Sequence, residues 1–137
     1  MAKFKGADAH LKRLKNMNAR VEREAGKLVY ALADMHATEA ALSITAGAVS
    51  GKNHVPSAPG EAPNADTHVL DRSIHVEPVG PLRANSVADA SYAAGLEFGT
   101  AKVSERPFMR PAASKVRKDA DKLAKAAVKR INKGGTL

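Results

Sequence analysis

Between residues 9 and 44 the apolar positions Leu11, Leu14, Met17, Val21, Ala25, Leu28, Leu32, Met35 and Leu42 recur mostly at three- and four-residue steps. This is the period of one helix face and predicts a long amphipathic helix, whose stripe serves as a core face or as a seam against a neighbouring subunit. Arg13, Arg20, Arg23 and Lys27 project roughly opposite the stripe. Gly26 lies mid-helix, where glycine costs about 1 kcal/mol relative to alanine.

The pattern then collapses over residues 47–66, GAVSGKNHVPSAPGEAPNAD. Pro56, Pro59 and Pro63 exclude both a helix and a central strand, so a long flexible loop is expected, one that orders on a partner or serves as a solvated connector. Residues 68–79, HVLDRSIHVEPV, alternate as a strand, with Leu70, Ile74 and Val76 on one face and Asp71, Ser73, His75 and Glu77 on the other; Arg72 interrupts the apolar face. A Gly80-Pro81 turn leads to a second strand over residues 85–91, and residues 92–96 read as a short helix or a further strand. Pro111 suits the first position of a final helix, whose stripe is Ala113, Val116, Ala120, Leu123, Ala127 and Ile131 and whose end is set by Gly134-Gly135. The expected fold is α+β in a single domain over residues 1–137: a long N-terminal helix, a small antiparallel sheet and a C-terminal helix.

Opposite the last stripe, Lys115, Lys118, Lys122, Lys125 and Lys129 form a row at steps of three and four. The row is either a solvated face or a contact with DNA or with an acidic ring surface. Charge is segregated along the chain: Lys and Arg outnumber Asp and Glu eight to three over residues 1–30 and eleven to three over residues 101–137, but are outnumbered eight to three between. Basic ends around an acidic middle point to a polyanion, an acidic neighbour, or the middle of another copy. Base reading would need Arg, Asn or Gln presented to base edges, and single-strand binding would need stacking aromatics; neither pattern is present.

Composition narrows the chemistry. With 4% aromatic residues and no tryptophan, the core must rely on small aliphatic side chains, and subunit contacts would supply missing burial. No cysteine is present, so disulfides and thiolate metal sites are excluded. The start, MAKFKGADAH, lacks an apolar run, and no stretch approaches the roughly 20 residues of a membrane span; a soluble, unexported protein is expected. Asp71, Ser73 and His75 read as a polar strand face rather than a triad, because they point the same way with no glycine-rich turn beside them. The histidines at positions 10, 36, 54, 68 and 75 show no metal-ligand spacing. No catalytic residue, cofactor or metal is expected.

The most specific stretch is LEFGTAKVSERPFMRPA, residues 96–112. Gly99 can take positive φ at a turn, Pro107 holds Arg106 extended, and Phe98 and Phe108 are expected to anchor both sides in the core. Glu97 and Arg110 can pair across the turn.

These residues carry a resemblance. The chain resembles the gene-product-ten-like tail-component proteins of lambdoid phages, small neck or tail-completion proteins of long-tailed viruses. Their pattern is a long amino-terminal helix, Leu-x-x-Ser-Ile, then Tyr-Ala-x-x-x-Glu-Phe-Gly-Thr, a short gap, Pro-Phe-Met/Leu-Arg-Pro-Ala and a final helix. This chain supplies Leu70, Ser73 and Ile74; Tyr92 and Ala93, then Glu97, Phe98, Gly99 and Thr100; and Pro107, Phe108, Met109, Arg110, Pro111 and Ala112. One departure is His68, where a glycine often precedes the leucine segment. The resemblance implies a non-enzymatic virion protein, assembled in the host cytoplasm into a ring of its own copies. Its expected neighbours are the head connector or stopper and the tail terminator or tail tube, with possible non-specific contact with packaged DNA and no membrane. The other function class is a small architectural DNA-binding protein with sequence-independent affinity, to which Leu-Glu-Phe-Gly-Thr is superficially similar; the basic β-arm and intercalating proline of such proteins are missing.

Overall fold

The computed structural model describes residues 5–133; the expected helix end at Gly134-Gly135 lies outside them. Helix α1 (Ala7–Thr45) runs unbroken for 39 residues, about 58 Å at 1.5 Å per residue. It contains no proline and is rich in alanine, leucine, lysine and arginine. Its predicted stripe is covered over only part of its length. Ala25, Leu28, Leu32 and Met35 are half-buried, but Leu11, Leu14, Met17, Val21 and Leu42 are exposed, and the residues that α1 buries near its end, Ala37, Ala40 and Ile44, lie outside the predicted stripe. The rest of the chain covers α1 from about residue 20 onward and leaves residues 7–19 exposed throughout.

Residues 47–66 fold back on their own chain and contain one 3-10 turn, Gly51–Asn53. The Ala65 amide donates to the Ile44 carbonyl at 3.1 Å, and the Gly60 amide to the Glu105 carbonyl at 2.9 Å. Pro63 and Ala65 are buried.

The first strand is shorter than its alternation suggests. His68 adopts φ 60°, and residues Val69–Arg72 form one helical turn, α2, that buries Leu70. Residues four apart share a side in a helix as well as in a strand, so the Leu70/Ile74 spacing could not separate the two. Strand β1 is Ile74–Gly80 and β2 is Arg83–Ala88, an antiparallel hairpin running from Ile74↔Ala88 to Pro78↔Ala84, with an irregularity between Pro78 and Gly80. Pro78 is tolerated because both strands of a two-stranded ribbon are edges. The turn falls at Pro81-Leu82, one residue later than expected, and β2 ends at Ala88, where the chain turns into helix α3 (Ala93–Phe98).

Helix α4 (Met109–Lys133) returns along α1. His36 Nε2 donates to the Met109 carbonyl at 2.8 Å near one end, and Arg130 Nε lies 3.8 Å from Glu24 Oε2 near the other, so the helices are antiparallel. The core is alanine-rich: Phe108 and Ile44 are fully enclosed, with Ala40, Ala65, Leu70, Ala93 and Ala112 around them. Small residues allow close approach. A Cβ at Gly26 would meet the Pro81 carbonyl oxygen at 2.5 Å, so the hairpin tip sits where only glycine fits on α1.

Candidate functional site

The start of α4 explains why residues 96–112 are so specific. A helix leaves its first four backbone N–H positions without intrahelical acceptors. Here Glu97, carried by α3, takes three of them: Oε2 accepts from the amides of Phe108 at 2.8 Å and Met109 at 3.0 Å, and Oε1 from that of Arg110 at 3.0 Å. The fourth position is Pro111, which has no N–H to satisfy. Pro111 is therefore the third residue of α4 rather than the first, and it completes the cap.

Arg110 closes the same group from outside. Its Nε donates to Glu97 Oε1 at 2.9 Å, and its Nη2 donates to the Glu97 carbonyl at 2.6 Å and to Glu105 Oε2 at 2.9 Å. Burial alone would push the Glu97 carboxyl upward; the three amides and the Arg110 side chain outweigh it and hold the carboxyl below its usual range. Hydrogen bonding to Glu105, then to Glu97, raises the Arg110 pKa. The pair is far from an exposed ion pair on the Glu97 side, since that residue is 5% exposed.

Gly99 holds the turn between α3 and α4, with φ 76° and ψ 171°. An added Cβ would meet the Glu105 amide nitrogen at 3.0 Å and the Val103 carbonyl oxygen at 3.1 Å. The Thr100 hydroxyl accepts from the Val103 amide at 3.1 Å, tightening the turn. Pro107 precedes the helix, and Phe108 is the core anchor expected of it, at 1% exposure. Phe98 is not. It is 69% exposed, because the last turn of α3 points it outward, with the Arg110 guanidinium 5.3 Å from its ring centroid.

Of the other pattern residues, Leu70 is buried, Ile74 packs beside it, and the Ser73 hydroxyl donates to the Leu70 carbonyl at 2.6 Å. Tyr92 is half-exposed at the start of α3. Asp71, Ser73 and His75 do not share a strand face: Asp71 belongs to α2 and lies 3.1 Å from the His68 ring, while the Ser73 hydroxyl is engaged by backbone. His68, at φ 60°, lies in the left-handed region that favours glycine.

The lysine row is exposed but partly neutralised. Lys115 pairs with Glu39 at 3.3 Å, Lys125 with Asp121 at 2.8 Å, and Lys122 lies 3.9 Å from Asp119; Lys118 and Lys129 have no such partner among the described residues. Compared with protein-family models, with curated proteins and with solved structures, the chain matches none. Among the described residues no three His, Asp or Glu side chains group as metal ligands, and no helix is long and apolar enough to cross a membrane.

Sequence reasoning missed Glu105, the second carboxylate on Arg110, and Glu24, fully buried between α1 and α4 near Lys27 and Arg130. Glu24 had a signal: it falls between Val21 and Leu28 on the apolar stripe, as Arg130 falls between Ala127 and Ile131 on the other helix.

Proposed function

We propose that the chain is a structural virion protein of the phage neck, a head–tail joining or tail-completion component that forms a ring of its own copies between head connector and tail. The observation that supports this reading most is the employment of its signature residues. Glu97, Gly99, Thr100, Phe108, Arg110 and Pro111 are spent on one cap-and-turn that locks α3 to α4, which is architecture rather than chemistry. The surfaces left over suit assembly. Leu11, Leu14, Met17 and Val21 line the uncovered start of α1, and Phe98 stands beside a groove of about 290 Å³ flanked by Ala94 and Met109. A heterologous interface between identical subunits can close into a ring. The virion neck is the proposed location and the host cytoplasm the place of assembly.

The test is complementation in vitro. Heads and tails produced without this protein should join when it is added, seen by negative-stain electron microscopy, and the protein should form ring-sized particles alone or with connector or tail-tube proteins. A monomer under every condition that also leaves heads and tails separate overturns the reading.

A further inference from the structure

Where the exposed start of α1 meets the end of α4, a cleft of about 490 Å³ is lined by Lys12, Arg13, Asn16, Arg20, Asn132 and Lys133. Four cations and two amides face one concavity, and among the described residues no carboxylate lines it. None of the four cations has an ion-pair partner among the described residues. Asp8 lies one helical turn before Lys12 without pairing with it. This contrasts with the lysine row, where three of five members have a carboxylate within 4 Å. Lys133 continues that row at the next four-residue step after Lys129, so the positive face of α4 runs into the cleft.

We propose that this cleft is a sequence-independent binding site for the phosphodiester backbone of duplex DNA. Mutual repulsion of four unpaired cations around one hollow is relieved by a multiply charged anion, and the concavity focuses their field. Arg13 and Arg20, seven residues apart on one helix face, stand about 10.5 Å apart along the axis and present planar forks suited to phosphate oxygens. Asn16 and Asn132 add amide donors of the kind that contact phosphate and sugar. Among the described residues the lining contains no aromatic ring, and Met17 is its one large apolar side chain, so it offers no platform for the stacking that single-strand binding needs. The site stands apart from the neck reading: it predicts DNA affinity in the free protein whether or not heads and tails are joined.

The experiment is fluorescence anisotropy with the full chain and two labelled 20-base-pair duplexes of unrelated sequence, titrated across a salt series. The wild type should bind both duplexes equally and weaken steeply with salt. Arg13→Gln/Arg20→Gln should bind at least about tenfold more weakly at low salt and lower the salt slope by about 2, since each lost phosphate contact removes about 0.9. Lys118→Gln/Lys129→Gln, on the row outside the cleft, should change binding by less than about threefold. Circular dichroism confirms that both variants keep the wild-type melting temperature. Absence of duplex binding at low salt overturns the proposal, as does a loss confined to the row variant. Competition by poly-glutamate matching duplex DNA at equal charge would also overturn it, marking the cleft as a surface for an acidic protein.

Discussion

The Glu97 carboxylate and the Arg110 residue meet through both backbone and side chain: Oε1 accepts from the Arg110 amide at 3.0 Å and from its Nε at 2.9 Å. One acid therefore caps a helix and fixes the guanidinium that shields it. Negative charge at a helix amino terminus is favoured by the helix dipole as well. Glu97→Gln keeps the shape but turns an amide donor toward amide donors, and should destabilise the fold by about 3 kcal/mol in urea denaturation. Arg110→Gln leaves the three backbone bonds in place and should cost about 1 kcal/mol. Equal losses for the two would show that the cap, as opposed to the ion pair, is unimportant.

The same relationship sets an acid dependence. Glu97 has its carboxyl pKa lowered, burial opposing and the Phe108, Met109 and Arg110 bonds prevailing. A depressed carboxylate contributes stability above its unfolded pKa, about 4.3, and that contribution is lost as pH falls through the folded value. Wild-type stability should therefore drop in acid more than that of Glu97→Gln. Parallel profiles below pH of about 4 would contradict this.

His75 works in the opposite direction. Its pKa is raised, first by the hydrogen bond with the Ser73 carbonyl, then by that with Glu77, with burial opposing and Asp89 and the Glu77 charge adding. The stability it contributes is fully present below its unfolded pKa, about 6.5, and is lost as pH rises through the folded value. His75→Asn should be less stable than wild type in mild acid, with the difference vanishing on the alkaline side. The check is a pair of denaturation series across neutral pH; a gap that persists in alkali would assign His75 a packing role instead.

Two glycines have their reasons in tertiary structure. Helix propensity alone says that Gly26→Ala should gain about 1 kcal/mol. The Pro81 carbonyl 2.5 Å from the new Cβ says that it must push the hairpin away, so a lower melting temperature is expected. Gly99→Ala combines positive φ with backbone contacts at 3.0 and 3.1 Å and should destabilise by about 1 to 3 kcal/mol. A gain in stability at Gly26 would show that the hairpin tip yields freely.

Much of the architecture was legible because local chemistry and packing agree. The two long helices follow from their periodic stripes, and the positive φ of Gly99 and the burial of Phe108 from the turn chemistry around them. Where one pattern fits two conformations, sequence could not decide: the four-residue spacing of Leu70 and Ile74 suits one side of a helix and of a strand alike, and the structure puts Leu70 in α2 and Ile74 in β1. The cap was hidden for another reason. Glu97 and Arg110 were visible as a pair, but three of the bonds to Glu97 come from backbone amides, whose position depends on how α3 meets α4. The cleft joins residues over a hundred positions apart, Arg13 and Lys133, and no local pattern brings them together.

Phe98 and Phe108 separate folding from assembly. Phe108 is enclosed at 1% exposure, so Phe108→Ala should cost roughly 3 to 5 kcal/mol and lower the melting temperature sharply. Phe98 is 69% exposed, and the Arg110 guanidinium over its ring is a contact of about 0.5 to 1 kcal/mol. Phe98→Ala should therefore barely move the melting temperature. In the neck reading, an exposed aromatic beside an apolar groove is an anchor for a neighbouring subunit, and aromatic anchors carry a large share of interface energy. The variant should then shift the assembly equilibrium toward monomer in light scattering and lower the yield of joined particles, while Phe98→Leu, which keeps apolar bulk, restores part of both. Normal assembly by Phe98→Ala would move the subunit contact elsewhere, with the uncovered stripe of Leu11, Leu14, Met17 and Val21 as the next surface to alter.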